Sequence, residues 1–210
     1  MRSITTLILM LAALAQPGCQ IFAWTVAQFG KPPKVKPVYE IPKDKKILVF
    51  VDSDVPLNFE PIKCNLTEEL NSQFIGNKIA GSVVSYVKLM DVLESTKKRL
   101  SVSEVGKKLD ADYVLYVRIE KFSVKDEEAT TLWQGKLQVA VRLVDVQKGK
   151  VWPTDQKEYV LPLIELSPVD ESSPGYGADI ARQLSQQMAD EVAKLFYEHA
   201  GQTSPPPSQS

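Results

Sequence analysis

Residues 109–120 read LDADYVLYVRIE, a segment in which apolar side chains occupy every second position. The apolar set is Tyr113, Leu115, Val117 and Ile119. The alternate set is Val114, Tyr116, Arg118 and Glu120. Alternation with a period of two is typical of a β-strand that has one face on a core and one face toward water. We therefore expect a strand here with a core face and a wetter face.

Segments on both sides of this strand predict a sheet. Residues 137–143 repeat the alternation, and Lys148-Gly149 then predicts a hairpin turn. The next strand spans 157–163, where Pro162 indicates a sheet edge or a strand end because proline cannot donate a ladder hydrogen bond. Residues 47–51 are continuously apolar and β-branched, which favours a buried central strand. A further strand is expected over 83–90.

Helical spacing predicts the remaining elements. One helix begins with Asn65 as its cap and ends at Gly81, and another short helix is capped by Ser101 or Ser103. The last helix is long and amphipathic. Its apolar stripe comprises Ile180, Leu184, Met188, Val192, Leu195 and Phe196. The element order predicts an α/β (α+β) fold with a single mixed β-sheet of about five strands, helices packed on one face and a long C-terminal amphipathic helix.

The start of the chain has the features of an export signal. Arg2 precedes an apolar run over 4–15, and Gln-Pro-Gly then leads to Cys19. This order resembles the signal of bacterial lipoproteins, in which the chain is cut after the residue corresponding to Gly18 and the cysteine thiol receives a diacylglycerol. Palmitate-type acyl chains would then anchor the protein to a membrane. Plain secretion and a retained membrane anchor remain as alternatives.

Composition divides the rest of the chain. We expect a signal peptide over 1–18, a lipidated cysteine and a Pro/Lys-rich spacer over 19–46, one domain over 47–199, and a disordered tail over 200–210. In the resembling lipoproteins, an aspartate after the cysteine often signals inner-membrane retention, whereas Gln20 stands here. The resemblance therefore implies the periplasmic face of the outer membrane.

Charge and residue usage exclude several kinds of function. The chain carries 25 Lys or Arg and 26 Asp or Glu residues, so it has no basic excess for nucleic acid. It contains one histidine and two cysteines, Cys19 and Cys64. A catalytic triad or a zinc site needs more such groups in one place. We expect no cofactor and no enzymatic activity.

Several segments resemble those of known proteins. Residues 109–115, 142–146 and 148–152 look like the sheet of a superfamily that includes the curli-secretion-channel subunit, the amino-terminal domain of the Tol-Pal translocation protein and lipoprotein activators of penicillin-binding proteins. Residues 132–135 and 190–199 resemble uncharacterised lipoproteins of planctomycete-type bacteria. Both resemblances imply an envelope lipoprotein, and neither implies a particular reaction.

Two sets of residues are candidates for function. Tyr116 lies on the wetter strand face, and Trp133 and Trp152 flank the following strands, so these side chains are candidates for a protein interface, with core packing as the alternative for the tryptophans. Asp52 and Asp54 follow a buried strand and are metal candidates. The sequence thus favours a non-catalytic interaction or assembly module that binds an envelope protein or itself. A metal-dependent hydrolase using Asp52 and Asp54, or a small-ligand carrier, is the alternative.

Overall fold

Three long strands form the centre of a mixed sheet. β2 (Lys46–Ser53) runs parallel to β4 (Tyr113–Ser123), and β4 runs antiparallel to β6 (Lys136–Asp145). Valine, isoleucine and leucine dominate all three strands, and such side chains pack well on a pleated surface. The predicted strands at 47–51, 113–120 and 137–143 are therefore confirmed.

The computed structural model describes residues 33–96, 98–125, 132–167, 169–170 and 176–201. The helices of these residues are α1 (Ile62–Gly76), α2 (Tyr86–Ser95), α3 (Val102–Lys108) and α4 (Tyr176–Lys194). The shorter strands are β1 (Lys34–Val35), β3 (Ser82–Val83), β5 (Leu132–Trp133), β7 (Gly149–Trp152), β8 (Tyr159–Val160), β9 (Ile164–Glu165), β10 (Val169–Asp170) and β11 (His199–Ala200).

Seven strands make up the main sheet, which confirms the mixed α+β prediction with a larger strand number. Its order is β3-β2-β4-β6-β7, and β8 and β9 also pair with β6. Only Tyr159 and Val160 of the predicted strand over 157–163 form a strand, β8; β9 begins at Ile164, and Pro162 lies between the two. The predicted turn at Lys148-Gly149 is confirmed, and Gly149 adopts a φ of 93° that favours glycine.

The inner face of the sheet carries the larger core. Side chains at alternate positions of β2, β4 and β6 pack there with α1 and α4. The predicted stripe of the last helix is confirmed for Ile180, Leu184, Met188 and Val192, all of which are buried. Phe196 is also buried, although it follows the end of α4. Burial of this stripe fixes the long helix against the sheet.

The outer face of the sheet carries a smaller core beneath α2 and α3. Leu48, Val114 and Val144 meet Leu89 of α2 and Val105 of α3 in this cluster. The prediction had placed the helices on one face. The two long helices do pack on one face, whereas the two short ones cover part of the other. The period-two pattern hid this second layer, because a valine such as Val114 was assigned to the wetter side of its strand.

Two details of the helices differ from the prediction. α1 begins at Ile62, so Asn65 lies within the helix and is not its cap. The helix also ends before Gly81. The Ile79 N–H donates to the Phe74 carbonyl at 2.9 Å and the Lys78 N–H to the Ile75 carbonyl at 3.1 Å, a Schellman arrangement in which Lys78 has a φ of 55°. The sequence signal was obscure because lysine occupies the position where glycine is usual.

The predicted strand over 83–90 is also wrong. Only Ser82 and Val83 pair with β2, and α2 starts at Tyr86 after an extended Ser85. Short apolar runs fit a strand or a helix equally well by periodicity. The predicted cap at Ser101 is confirmed, since its hydroxyl accepts from the Glu104 N–H and the Glu104 carboxylate accepts from the Ser101 N–H.

The chain divides into two compact units. One unit lies within 36–198 and holds the seven-stranded sheet and the four helices; the described residues of the other are 33–35 and 199–201, where β1 pairs antiparallel with β11. Gly18 and Cys19 lie outside the described residues. The predicted boundaries at 18/19, 46/47 and 199/200 stay predictions. Within the described ranges, no helix has both the length and the apolar character required to cross a bilayer.

Candidate interaction face

Cross-strand neighbours on the outer face change from apolar to charged along the strands. Three rows of neighbouring side chains cross β2, β4 and β6: Leu48–Val114–Val144, Phe50–Tyr116–Arg142 and Asp52–Arg118–Ala140. The first row lies under α2 and α3. The second row is aromatic and basic, and the third carries charged side chains on β2 and β4. The register therefore places the polar groups of three strands side by side. We call the second and third rows, together with Glu158, the polar face.

Tyr116 occupies the middle of the polar face. Its hydroxyl donates to Asp52 Oδ2 at 3.2 Å, and the Arg142 guanidinium lies 4.4 Å above the centre of its ring. The Phe50 and Tyr116 rings pack in a T-shaped arrangement, with their centroids 5.6 Å apart. Burial, and then the charge of Asp52, raises the pKa of Tyr116 to about 12. The phenol is therefore a neutral hydrogen-bond donor under physiological conditions.

Glu158 joins the two arginines of the polar face. Arg118 donates to Glu158 Oε2 from Nε at 2.9 Å and from Nη2 at 2.7 Å. Arg142 Nη1 lies 3.2 Å from the other oxygen, Glu158 Oε1. The Glu158 side chain is only 5% exposed. The hydrogen bond that Arg118 donates to Glu158 is the main reason that the pKa of Arg118 is raised. The nearly buried Glu158 carboxylate therefore holds the guanidinium groups of both Arg118 and Arg142 in place.

Arg118 also forms ion pairs with two carboxylates next to the polar face, those of Asp54 and Glu120. Its guanidinium is 3.3 Å from Asp54 Oδ2 and 2.6 Å from Glu120 Oε1. Arg142 has a less complete set of partners, since its Nε is buried without a hydrogen bond among the described residues. This N–H is the one buried side-chain donor of the face that lacks a partner within those ranges. Arg118 and Glu158 have close partners of opposite sign, whereas Asp52 accepts hydrogen bonds from Tyr116 and the Ser53 N–H.

The two metal candidates, Asp52 and Asp54, have different protein partners in the structure. Asp52 accepts from the Ser53 N–H at 2.9 Å through one oxygen and from Tyr116 through the other, whereas Asp54 pairs with Arg118. No group of three or more His, Cys, Asp or Glu side chains suited to a metal occurs in the described part of the chain. The local geometry thus directs both aspartates to protein donors. It gives the hydrolase alternative no support.

The other candidates lie apart from this face. Trp152 is buried in the larger core, where its ring is 5.4 Å from Tyr159 and 5.7 Å from Phe196. This position matches the core-packing alternative. The backbone of Trp133 pairs with Val169 in a small two-stranded sheet. Cys64 is half-buried, and burial is the first cause that raises the pKa of its thiol. A raised pKa does not favour a nucleophilic thiolate.

An open groove of about 750 Å³ adjoins the polar face. The end of α2 and the segment through Ser103 contribute one side of the groove, and β7 and the segment before β8 contribute the other. Phe50, Tyr116 and Arg142 lie on its floor. The described residues that line it are Phe50, Asp52, Leu93, Thr96, Lys98, Arg99, Leu100, Ser101, Val102, Ser103, Tyr116, Arg142, Val144, Lys150 and Lys157. We call this the basic groove.

Sequence reasoning identified Tyr116 and Asp52 but missed their most important neighbours. Glu158 lies 40 residues after Arg118 and 16 after Arg142, at the start of the predicted strand over 157–163, and the sequence does not show which part of the sheet that strand joins. One signal was available. Arg118 and Arg142 both occupy alternate positions opposite core residues in strands that the pattern predicted correctly. The partner of these arginines becomes evident only from the position of β8.

Comparisons with known proteins indicate a fold and no family. No protein-family model matches this chain, and no curated protein matches it. Among solved structures, the PelC dodecamer from Paraburkholderia phytofirmans is 14% identical, with 79% of this chain and 96% of that chain covered and a TM-score of 0.44.

Two further solved structures are lipoproteins. GNA1162 from Neisseria meningitidis is 15% identical over 70% of this chain and 99% of that chain, with a TM-score of 0.39. A minor lipoprotein from Acinetobacter baumannii is 10% identical over 74% and 98%, with a TM-score of 0.36. The structural neighbours of this chain thus include bacterial lipoproteins, and the likeness concerns the fold alone. None of the three comes from a planctomycete. The resemblance to lipoproteins of planctomycete-type bacteria therefore gains no support.

Proposed function

We propose that this chain is a non-catalytic, lipid-anchored envelope protein that binds another envelope protein, or a second copy of itself, through the polar face. The observation that carries the proposal is the fixed cluster of Asp52, Tyr116, Arg118, Arg142 and Glu158. It combines two arginines and an aromatic side chain, which are frequent in binding hot spots, on a rigid sheet.

The geometry of the cluster suits recognition better than catalysis. A general acid or base must be available to reach a substrate proton, and a nucleophile requires an adjacent base. Here the carboxylates of Asp52 and Glu158 accept hydrogen bonds from neighbouring side chains or backbone. The high pKa of Tyr116 also keeps its hydroxyl protonated. In such a face the nearly buried Tyr116 and Glu158 hold the partly exposed guanidinium groups of Arg118 and Arg142 in a fixed geometry toward a partner.

The anchor is proposed from the sequence, with the signal peptide over 1–18 and the thiol of Cys19 as the attachment atom. It would place the domain in the periplasm, at the outer membrane. Mass spectrometry of the amino terminus of the native protein tests this part. We expect a chain that begins at Cys19 and carries diacylglycerol on sulfur. A native chain that retains Met1, or that begins at an unacylated residue, contradicts the anchor.

The binding role is tested separately by site-specific photocrosslinking in cells. A photoreactive amino acid replaces Val160, which is 53% exposed, pairs with Ala140 of the polar face and lies outside the groove lining, or Gln187 on the solvent side of α4 as an exposed control. We expect a discrete crosslinked product from position 160 and none from position 187. Equal products from both positions, or none from either, contradict the proposal. Thermal stabilisation by Mg²⁺ that the Asp52→Asn variant loses would instead support the hydrolase.

A further inference from the structure

The basic groove has a charge that differs from that of the whole chain. Among the residues that the structure describes, five cations line it, namely Lys98, Arg99, Arg142, Lys150 and Lys157, together with a single carboxylate, Asp52. The chain as a whole has a net charge of −1. A concave surface lined by one sign of charge concentrates ligands of the opposite sign. The groove is therefore suited to an anionic ligand.

Most of these cations are available to such a ligand. Arg142 is occupied by Glu158, and Lys150 Nζ donates to the Gln156 carbonyl at 2.6 Å. Within the described ranges, Lys98, Arg99 and Lys157 have no hydrogen bond or ion pair. All three side chains are exposed. A ligand that neutralised them would therefore not have to break an existing ion pair.

Apolar side chains occur between the cations. Leu93, Leu100, Val102, Phe50 and Val144 contribute to the same lining. An acidic glycan could neutralise the lysines but would leave the leucine and valine side chains without matching apolar contacts. A peptide that alternates acidic and apolar side chains supplies both kinds of contact from one extended backbone. An acyl chain would require a more enclosed apolar cavity than this open groove.

We propose that the basic groove binds an extended acidic segment of the partner protein, with apolar side chains between its carboxylates. This inference rests on the proposed function, because the groove adjoins the polar face and shares Tyr116 and Arg142 with it. Lys98 and Arg99 on one side and Lys157 on the other bind the carboxylates. The apolar floor accepts the intervening side chains.

Fluorescence anisotropy tests the proposal with the full chain in a non-ionic detergent at about 0.15 M salt. The probe is a fluorescein-labelled peptide of Glu-Leu-Glu repeats, compared with the same peptide carrying Gln for Glu and with an oligogalacturonate of similar charge. We expect saturable binding of the acidic peptide, weaker binding of the other two probes, and about tenfold weaker peptide binding by the Lys98→Glu/Arg99→Glu variant.

Matched variants distinguish the groove from general charge effects. Lys107→Glu/Lys108→Glu changes the net charge equally at two exposed cations of α3 outside the groove, and it should alter peptide affinity less than about twofold. Lys157→Glu tests the opposite side of the groove and should weaken binding. Equal binding of the Gln peptide, tighter binding of oligogalacturonate, or equal losses in the groove and control variants would overturn the proposal. Photocrosslinking from position 160, which leaves every lining residue of the groove unchanged, still reports the proposed function separately.

Discussion

At the scale of single residues, Glu158 is the group on which the polar face depends. Its nearly buried carboxylate accepts two hydrogen bonds from Arg118 and forms an ion pair with Arg142, and the two arginine side chains are 23% and 22% exposed. Removing one member of such a group leaves the other charges without compensation. We expect Glu158→Gln to lower the free energy of unfolding by about 2–3 kcal/mol, measured by circular dichroism in urea.

An exposed member of the same group provides the control. Asp54 also pairs with Arg118, but its side chain is 63% exposed and water can replace the interaction. Asp54→Asn should therefore cost less than about 1 kcal/mol. Equal losses in the two variants would show that Glu158 acts as an ordinary surface charge, and the structural role given to it here would be wrong.

A second residue-scale prediction concerns Asp112, which joins the beginnings of β2 and β4. Its carboxylate accepts from the Lys46 N–H at 2.9 Å, and this hydrogen bond is the main reason that its pKa is lowered; Lys45 adds to the effect. A lowered pKa in the folded state means that the contribution to stability is complete above the ordinary value of about 3.9 and is lost as the pH falls below it.

Urea unfolding of the wild type and Asp112→Asn over a pH series measures this contribution. The difference in unfolding free energy between the two proteins should be constant between about pH 7 and pH 5 and should decrease below about pH 4. A difference that is unchanged at about pH 3 would mean that the Asp112 carboxylate is not stabilised by the fold.

At the scale of the elements, two glycines at helical positions should respond oppositely to alanine. A Cβ on Gly106 of α3 would lie 2.6 Å from Val146 Cγ2 and 2.7 Å from Val114 Cγ2, whereas a Cβ on Gly76 at the end of α1 would have no such neighbour within 4 Å. Alanine stabilises an unobstructed helix by up to about 1 kcal/mol relative to glycine. Valine side chains are stiff, so overpacking at position 106 should outweigh this gain.

We therefore expect Gly106→Ala to lower the free energy of unfolding by about 1–2 kcal/mol and Gly76→Ala to raise it by up to about 1 kcal/mol. Midpoints of urea unfolding measure both changes. Shifts of the same sign in the two variants would mean that α3 does not approach the outer face as closely as the structure shows.

Elements with a strong local pattern were predictable from sequence, and the others were not. β4 and the buried stripe of α4 each repeat one period over several turns or pairs, so no tertiary information was needed. The start of α1 follows Pro61, which supplies no side-chain cap, and its end uses Lys78 in place of glycine. Both ends were therefore placed wrongly.

The candidate site depends even more on tertiary arrangement. Tyr116 and Asp52 could be selected from strand periodicity and from the end of a buried strand. Their contact follows from the register of β2 against β4, and the pairing of Arg118 with Glu158 follows from the short strand β8. Strand register at this distance along the chain is set by the whole core. Local sequence patterns do not contain it.

At the scale of the whole molecule, the sheet separates two hydrophobic clusters of unequal size. The larger one joins α1 and α4 to the inner face, and the smaller one joins α2 and α3 to the outer face. Regions with fewer buried apolar contacts open at a lower free energy than the main core. The segment after α2 also contributes Lys98 and Arg99 to the basic groove, so the stability of the smaller layer determines how firmly that side of the groove is held.

Two leucine substitutions test whether the layers open separately. Leu184 of α4 and Leu89 of α2 are 0% and 1% exposed, one in each cluster. Leu184→Ala should destabilise the whole domain by about 2–5 kcal/mol and accelerate hydrogen exchange of the β4 amides. Leu89→Ala should accelerate exchange mainly in α2 and α3, because local opening of the outer layer does not require the larger core to open. Mass spectrometry of peptides from these elements resolves the two responses, and equal acceleration of the β4 amides by both variants would mean that the two layers unfold as one unit.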